Sequence, residues 1–489
     1  MRPKAVPRLV DGQWRMPAED ACIDVVDPAD VRRIVGRVPA MSAGEITELY
    51  DAAAKGAQRW RATPLLERAR VLVDAAADLR RRRDEIAADL VAEMGKTRAE
   101  ATVEVVKSAD FFDYYASLAR QPYGQLIADG RPGTQTSVRN EPLGVVCLIT
   151  PWNDPLLTPA RKAAPALIAG NAVVLKPASE TPLVAVHLAR SLHDAGLPAG
   201  VLGLAVGRIS VIEAALLDDP RLAAVSFTGS TAIGRVLRRR LADRNVRVQA
   251  ELGGKNASVV LADADLDLAV STVAAASFGQ TGQRCTATSR VVVDRKIADE
   301  FVAALVNAAA AVRLGAGDDP ASTMGPLVSR RHQVDVLAHV ERARSQGATI
   351  AFGGAAPSDE PLSHGCFVTP TVVTDVDPSM SIWRDEVFGP VVAVRVVDGF
   401  DEAVRAVNDS AYGLAASVFT RDLAQSYAFV DRVDTGQVSV NLPTSGWDVH
   451  MPFGGFGDSG GSTVKEQGLE GLRFYSRVKT VAIRFDTTS

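Results

Sequence analysis

From Gly144 to Leu241 the chain alternates short, continuously apolar runs with helical ones, and no other feature limits its folding so sharply. The apolar runs are Gly144–Thr150, Ala172–Lys176, Val201–Val206 and Leu222–Phe227. Helical stretches follow them to Ala169, Ala195, Leu217 and Leu241. A strand that is apolar along its whole length is covered on both faces, and a helix after each strand supplies that cover. The pattern predicts a doubly wound parallel α/β sheet. Such sheets bind ligands at the carboxyl ends of their strands. The residues to weigh are therefore Thr150-Pro151-Trp152-Asn153, Lys176-Pro-Ala-Ser179, Thr228-Gly229-Ser230 with Gly234, and Glu251-Leu-Gly253-Gly254.

Each of these positions carries a plain reading beside a functional one. Gly229-Ser230 opens a helix, where backbone N–H groups can donate to phosphate oxygens, yet it also serves as a tight strand-to-helix turn. Lys176 at a strand end is either a ligand-holding cation or a surface lysine. Glu251 is either a reactive carboxylate or a salt-bridged one. The glycines after it allow close backbone approach to a ligand and weigh toward the first.

Around this core, residues 8–37 form short β-like pieces about Asp11-Gly12. Helical sequence runs from a capping-box pattern at Ser42 and Glu45, with breaks, to about Arg120. The basic run Leu79–Asp84 lies in that helical stretch among acidic neighbours and reads as a solvated face. Pro122 to Asn140 is punctuated by Gly and Pro about a Thr134–Arg139 strand, which predicts a protruding hairpin. After Asn256 the alternation resumes, with strands expected at 257–261, 290–294, 367–374, 390–397 and 415–420. A terminal strand is expected over Phe474–Phe485.

One cysteine lies between a helical run (Leu268–Phe278) and a strand-like run (Val291–Val293), at the end of the turn Gly279-Gln-Thr-Gly-Gln-Arg284-Cys285. A thiolate there could meet a substrate, favoured by a nearby cation or helix N-terminus. A buried structural cysteine is the alternative. The other cysteines, Cys22, Cys147 and Cys366, show no CxxC spacing, so neither a disulfide framework nor a metal site is expected.

A chain of 489 residues implies two or three domains. A net charge of −4 offers nucleic acid or an anionic membrane no electrostatic hold. The stretch Met1–Arg8 lacks the apolar core of a signal peptide, and no run is long enough to span a membrane. A cytoplasmic protein is expected.

Seven motifs in order carry a resemblance to the NAD(P)-dependent aldehyde dehydrogenase superfamily over essentially the whole chain. They are Pro151-Trp-Asn153, Lys176-Pro, Phe227-Thr-Gly-Ser230, Glu251-Leu-Gly-Gly-Lys-Asn256, Gly282-Gln-Arg-Cys285, Glu386-Val-Phe388-Gly-Pro390 and Pro452-Phe-Gly-Gly455. Asn441-Leu-Pro-Thr-Ser-Gly with His450-Met-Pro-Phe-Gly-Gly455 resembles its α-ketoglutarate semialdehyde (2,5-dioxovalerate) dehydrogenase branch. Three positions depart from the family pattern. Asp154 stands where Phe is frequent, Ser179 where Glu is frequent in NAD-preferring members, and Gln280 where Asn is common.

The resemblance implies a Rossmann-like NAD(P)-binding domain over 1–120, 141–251 and 444–471. It implies an α/β catalytic domain over 252–443 and a small β oligomerisation element over 121–140 and 472–489. It also implies a nucleophile, Cys285, an oxyanion donor, Asn153, and a general base, Glu251. Glu251 points to water rather than coenzyme A as acyl acceptor. NAD or NADP would be held by Thr150, Pro151, Trp152, Lys176, Ser179, Gly229, Ser230, Gly253, Glu386 and Phe388. Ser179 leaves NADP open, because a serine does not repel a 2′-phosphate as a glutamate would. The aldehyde tunnel would be lined by Asp154, Thr158 and Arg161, with Arg284, Trp447 and Phe453. Arg161, with Arg284, could hold a substrate carboxylate, or Arg161 could pair with Asp154. A small polar or acidic semialdehyde is the expected substrate, with aromatic or general aliphatic aldehydes as rivals. A non-catalytic member of the fold is the rival from another class. A homodimer or homotetramer is expected.

Overall fold

The computed structural model describes residues 4–16, 22–39, 41–121, 124–460 and 464–485. Met1–Pro3, Pro122 of the expected hairpin, residues 461–463 of the expected NAD(P)-binding domain and the last residues, 486–489, lie outside the described residues.

The first sheet has five parallel strands. Their spatial order is Leu202–Leu204, Ala172–Lys176, Val145–Ile149, Leu222–Thr228 and Arg247–Glu251. The chain winds outward from Val145–Ile149 in one direction, then returns to its other side. A crevice therefore opens between Val145–Ile149 and Leu222–Thr228 at their carboxyl ends. The apolar runs form strands because both faces are covered: every residue of Ala172–Lys176 is buried. Asn171 fixes the entry to this sheet, its side-chain oxygen accepting from Leu143 N at 2.7 Å and Gly144 N at 3.0 Å.

The second sheet has seven strands. In order they are Thr349–Phe352, Thr371–Thr374, Val391–Val397, Thr288–Asp294, Asn256–Val260, Ala415–Phe419 and Gln437–Val440, with only Thr349–Phe352 antiparallel. The third sheet is antiparallel, in the order Ser476–Arg484, Thr134–Pro142 and Gly124–Ile127. Helices Ala43–Ala62, Leu65–Arg81, Arg83–Met94 and Arg98–Ser117 pack on the first sheet, and the Ser42–Glu45 capping box forms.

Several boundaries differ from expectation. The basic run does not lie in one helix, because two helices meet at Arg82, whose guanidinium lies 3.3 Å from Asp78 and 3.2 Å from Glu85. Arg80 pairs with Asp110 and Asp113. The expected strand 367–374 shrinks to Thr371–Thr374, since Pro370 has no N–H to offer a ladder. Phe474 ends the helix Gly468–Phe474, so the last strand starts at Ser476. Strands Arg247–Glu251, Thr349–Phe352 and Gln437–Val440 lie at sheet edges, where apolar content is lower and the sequence signal weak.

Candidate active site

Three buried polar side-chain atoms at the carboxyl ends of the first sheet have no hydrogen-bond partner: Thr150 Oγ1, Thr228 Oγ1 and Glu251 Oε2. Buried polar atoms are ordinarily paired, so this cluster marks a place built for a bound group. Ser230 caps the helix Thr231–Leu241, accepting from Ile233 N at 3.4 Å. Gly229 is fixed by space, because a Cβ there would lie 2.6 Å from the Phe227 ring. Lys176 is buried and donates to Pro177 O at 2.7 Å; burial brings its pKa down to about 8. Ser179 donates to Gly207 O at 3.2 Å.

Pro151 and Trp152 stand half-exposed at the crevice. The Trp152 ring meets Phe388 and His332 edge-on, each at 5.3 Å between centroids. His332 is held by Phe388 O at 2.8 Å. It lies on the remote helix Arg330–Ser345, which sequence spacing does not tie to Trp152. Glu386 reaches across from the second sheet, and its Oε1 accepts from Gly254 N at 2.9 Å. A Cβ on Gly253 would overlap Glu386 Oε2, so glycine there is what lets the carboxylate in. Burial pushes the Glu386 carboxyl up to about 7.

The cysteine loop is tightly wound. After the helix Leu266–Phe278, Gln280, Thr281 and Gly282 take φ values of 52°, 59° and 67°. Two consecutive non-glycine residues in the left-handed region store strain, which the surroundings must hold. Cys285 emerges half-buried into a cavity of about 200 Å³. Asp154, Arg161, Arg284, Trp447 and Phe453 line it, and so do Lys96, Phe111 and Gln467.

Thr158 does not line the cavity. The helix Leu157–Ile168 shows one face there, Leu157 and Arg161, four residues apart, while Thr158 and Lys162 turn inward and are buried. Nor does Arg161 pair with Asp154. Arg161 lies 3.7 Å from Glu466 and stacks over Phe453 at 4.7 Å, while Asp154 faces Lys96 at 3.3 Å and Gln280 at 3.0 Å. Arg284 Nε donates to Gln280 Oε1 at 2.6 Å and makes no ion pair among the described residues. The Trp447 indole nitrogen is buried without a partner.

Asn153 reaches the cysteine loop, its Nδ2 donating to Gln283 O at 3.0 Å. Glu251 packs against Gly454, where a Cβ would lie 2.6 Å from Oε1. Burial, then Glu466, holds the Glu251 carboxyl well above the usual range; Lys162 and Arg161 oppose this. Burial pushes the Cys285 thiol up to about 12, with Arg161 the main opposing charge. One guanidinium thus favours the ionised form of both groups. Glu466 pairs with Lys162 and carries no motif signal of its own.

A half-buried thiol opening on a cavity, an amide held against its loop by Gln283 O and a buried carboxylate are groups that suit nucleophilic attack on a carbonyl followed by hydrolysis. Residues 14–481 match the model of the aldehyde dehydrogenase family. The chain is 43% identical over 472 residues to the α-ketoglutarate semialdehyde dehydrogenase of Haloferax volcanii, covering 96% of this chain and 98% of that one. It is 36% identical over 480 residues to the 2,5-dioxopentanoate dehydrogenase of Saccharolobus solfataricus, covering 98% and 99%. The crystal structure of betaine aldehyde dehydrogenase from Staphylococcus aureus in complex with NAD+ superposes with a TM-score of 0.95 at 31% identity, covering 99% and 96%. The chain belongs to the aldehyde dehydrogenase family and is an NAD(P)-dependent aldehyde dehydrogenase.

Proposed function

We propose that this enzyme oxidises a small semialdehyde bearing a carboxylate, of the α-ketoglutarate semialdehyde kind, to the free acid. The observation that carries the reading is the cavity wall. Two guanidinium groups, Arg161 and Arg284, and the unpaired Trp447 indole N–H stand around a small space beside Cys285, with Phe453 as an apolar side. A long apolar aldehyde would desolvate both guanidinium groups and leave the Trp447 N–H unpaired, whereas a carboxylate can accept from all three beside the partners they already have, Glu466 for Arg161 and Gln280 for Arg284. The names of the Haloferax and Saccharolobus relatives point the same way.

In this reading Cys285 attacks the aldehyde carbon as the thiolate and forms a thiohemiacetal. The Asn153 amide and the Cys285 backbone N–H receive its oxyanion, each such donor contributing about 2.7–4 kcal/mol to catalysis. A bound dinucleotide would supply the hydride acceptor for collapse of the thiohemiacetal to the Cys285 thioester. Glu251 then takes a proton from the water that hydrolyses the Cys285 thioester.

The unpaired Thr150 and Thr228 hydroxyls fit a bound dinucleotide. Lys176 and Ser179 would hold its adenosine ribose, and Gly229 and Ser230 its pyrophosphate. Glu386 and Gly253, with Phe388, Trp152 and Pro151, would hold its nicotinamide end. Either NAD or NADP suits Ser179. Residues 1–120, 141–251 and 444–471 would form the cofactor domain and 252–443 the catalytic domain.

The outer sheet, formed by 124–127, 134–142 and 476–484, exposes Leu126, Ile127, Val478 and Ile483. That supports a homodimer or homotetramer, with 121–140 and 472–489 as the assembling element. Among the described residues no helix is long and apolar enough to cross a membrane, and a cytoplasmic location is our reading.

The test is turnover of α-ketoglutarate semialdehyde, succinate semialdehyde and benzaldehyde with NAD and with NADP, beside Cys285→Ala and Arg161→Ala. Acidic aldehydes should have the higher kcat/KM, Cys285→Ala should abolish turnover, and Arg161→Ala should raise KM for the acidic substrates alone. Preference for benzaldehyde, or an equal rise in KM for all three in Arg161→Ala, would remove the carboxylate reading and leave the dehydrogenase; a fall in kcat common to all three reports only the charge lost beside the Cys285 thiol.

A further inference from the structure

The main-chain carbonyl of Asn153 accepts two side-chain hydrogen bonds, from Lys96 Nζ at 2.9 Å and from Gln280 Nε2 at 2.6 Å. Lys96 is buried, 2% exposed, although it carries a charge. It is paired with Glu104, and Asp154 Oδ1 lies 3.3 Å away. Glu104 in turn accepts from Leu156 N at 2.9 Å and Leu157 N at 3.0 Å, where the helix after Asn153 begins. Four residues earlier, Glu100 accepts from Gln280 N at 2.6 Å. One short stretch, 96–104, therefore grips both the Asn153 segment and the strained turn that carries Cys285.

Burying an ammonium and two carboxylates costs on the order of several kcal/mol of solvation per ion, and an apolar set of the same volume often serves stability as well. Here the charges do something an apolar set could not. A charge-assisted bond and a short amide bond on one carbonyl fix the peptide plane after Asn153, and with it the direction of the Asn153 side chain. That side chain donates to Gln283 O, two residues before the cysteine.

The geometry points to Lys96, with Gln280, as a positioning residue for the oxyanion site, acting through Asn153. This rests on the reading of Asn153 as oxyanion donor. Lys96 does not contact the reacting atoms. It keeps a donor in register with a thiohemiacetal oxygen that exists only during turnover, and misplacing such a group by about 1 Å costs on the order of 100-fold in rate.

The experiment is a double-mutant cycle on the full chain. Lys96→Met, Gln280→Met, Asn153→Ala and the two doubles with Asn153→Ala are compared by kcat and kcat/KM for the best aldehyde and by iodoacetamide alkylation of Cys285. Lys96→Met and Gln280→Met should each lower kcat and kcat/KM about tenfold or more without slowing alkylation, and by less than about twofold once Asn153 is already alanine. Lys96→Met leaves Glu104 and Asp154 buried without their cation, so if it does not fold, Gln280→Met, which keeps the charges, decides. Equal losses in both backgrounds, or no loss in either single variant, would overturn the inference while Asn153 keeps its role. Wild-type kcat in Asn153→Ala would overturn the reading of Asn153 and the inference together.

Discussion

Gln280 Nε2 lies 3.0 Å from Asp154 Oδ1, so two of the positions at which the chain departs from the family pattern touch each other. A phenylalanine at 154 would offer no acceptor, and an asparagine at 280, one methylene shorter, would not span the gap. Asp154 also faces Lys96, and Gln280 also accepts from Arg284. Asp154→Phe and Gln280→Asn should therefore be non-additive in urea unfolding, with a coupling of about 0.5–3 kcal/mol. Additivity within about 0.5 kcal/mol would mean that the contact between them carries no coupling.

Gly253 is the residue that admits Glu386 to the crevice. Gly253→Ala should drive the carboxylate away from Gly254 N and raise KM for the dinucleotide about tenfold or more, a loss of about 1.4 kcal/mol or greater. Thermal unfolding of the unliganded enzyme should shift far less. Unchanged dinucleotide KM would separate Glu386 from cofactor binding.

Ser179 stands half-exposed beyond the strand that ends at Lys176. Ser179→Glu places a negative charge where a 2′-phosphate would lie and should lower kcat/KM with NADP relative to NAD by about tenfold or more. An unchanged ratio would locate the adenosine ribose elsewhere.

Much of this was legible because its signals are local. Ala172–Lys176 reads as a buried strand from five residues, and Cys285, Asn153 and Glu251 stand in recognisable motifs. What escaped depends on long-range contact. Lys96 meets Asn153 across 57 positions and Lys162 meets Glu466 across 304, and neither pair has a spacing that a single sequence can reveal. Thr158, which the resemblance places at the tunnel, is buried instead, because it stands one residue and so about 100° around the helix from Leu157, which does line the cavity. Arg247–Glu251 escaped because an edge strand keeps polar residues on its open side.

Glu251 should be separable from Cys285 in time. With Glu251 as the proposed base, Glu251→Gln should leave acylation of the thiol intact and slow only hydrolysis. Rapid mixing with aldehyde and dinucleotide should then give a burst of reduced nicotinamide near one per site, followed by a steady rate lower by about 10²–10⁴. In the wild-type enzyme the hydrolytic step should quicken as pH rises through the raised pKa of Glu251, since only the ionised carboxylate takes a proton. A steady rate that survives Glu251→Gln would assign the base to another group.

Arg161 and Glu251 act on the Cys285 thiol with opposite sign, and alkylation of the unliganded enzyme reads this directly. The thiol is raised to about 12 by burial, so below that pH the thiolate fraction, and the rate with iodoacetamide, should climb about tenfold per pH unit. Arg161→Met removes the main cation opposing the shift; it should raise the pKa further and slow alkylation at any fixed pH. Above the raised pKa of Glu251, where that carboxylate is ionised and disfavours the thiolate, Glu251→Gln should speed it. Because the two variants change the charge near sulfur in opposite directions, a general loosening of the cavity cannot imitate the pair of results. Movement of both rates in one direction would mean that access to the thiol, not the charge around it, governs its reactivity.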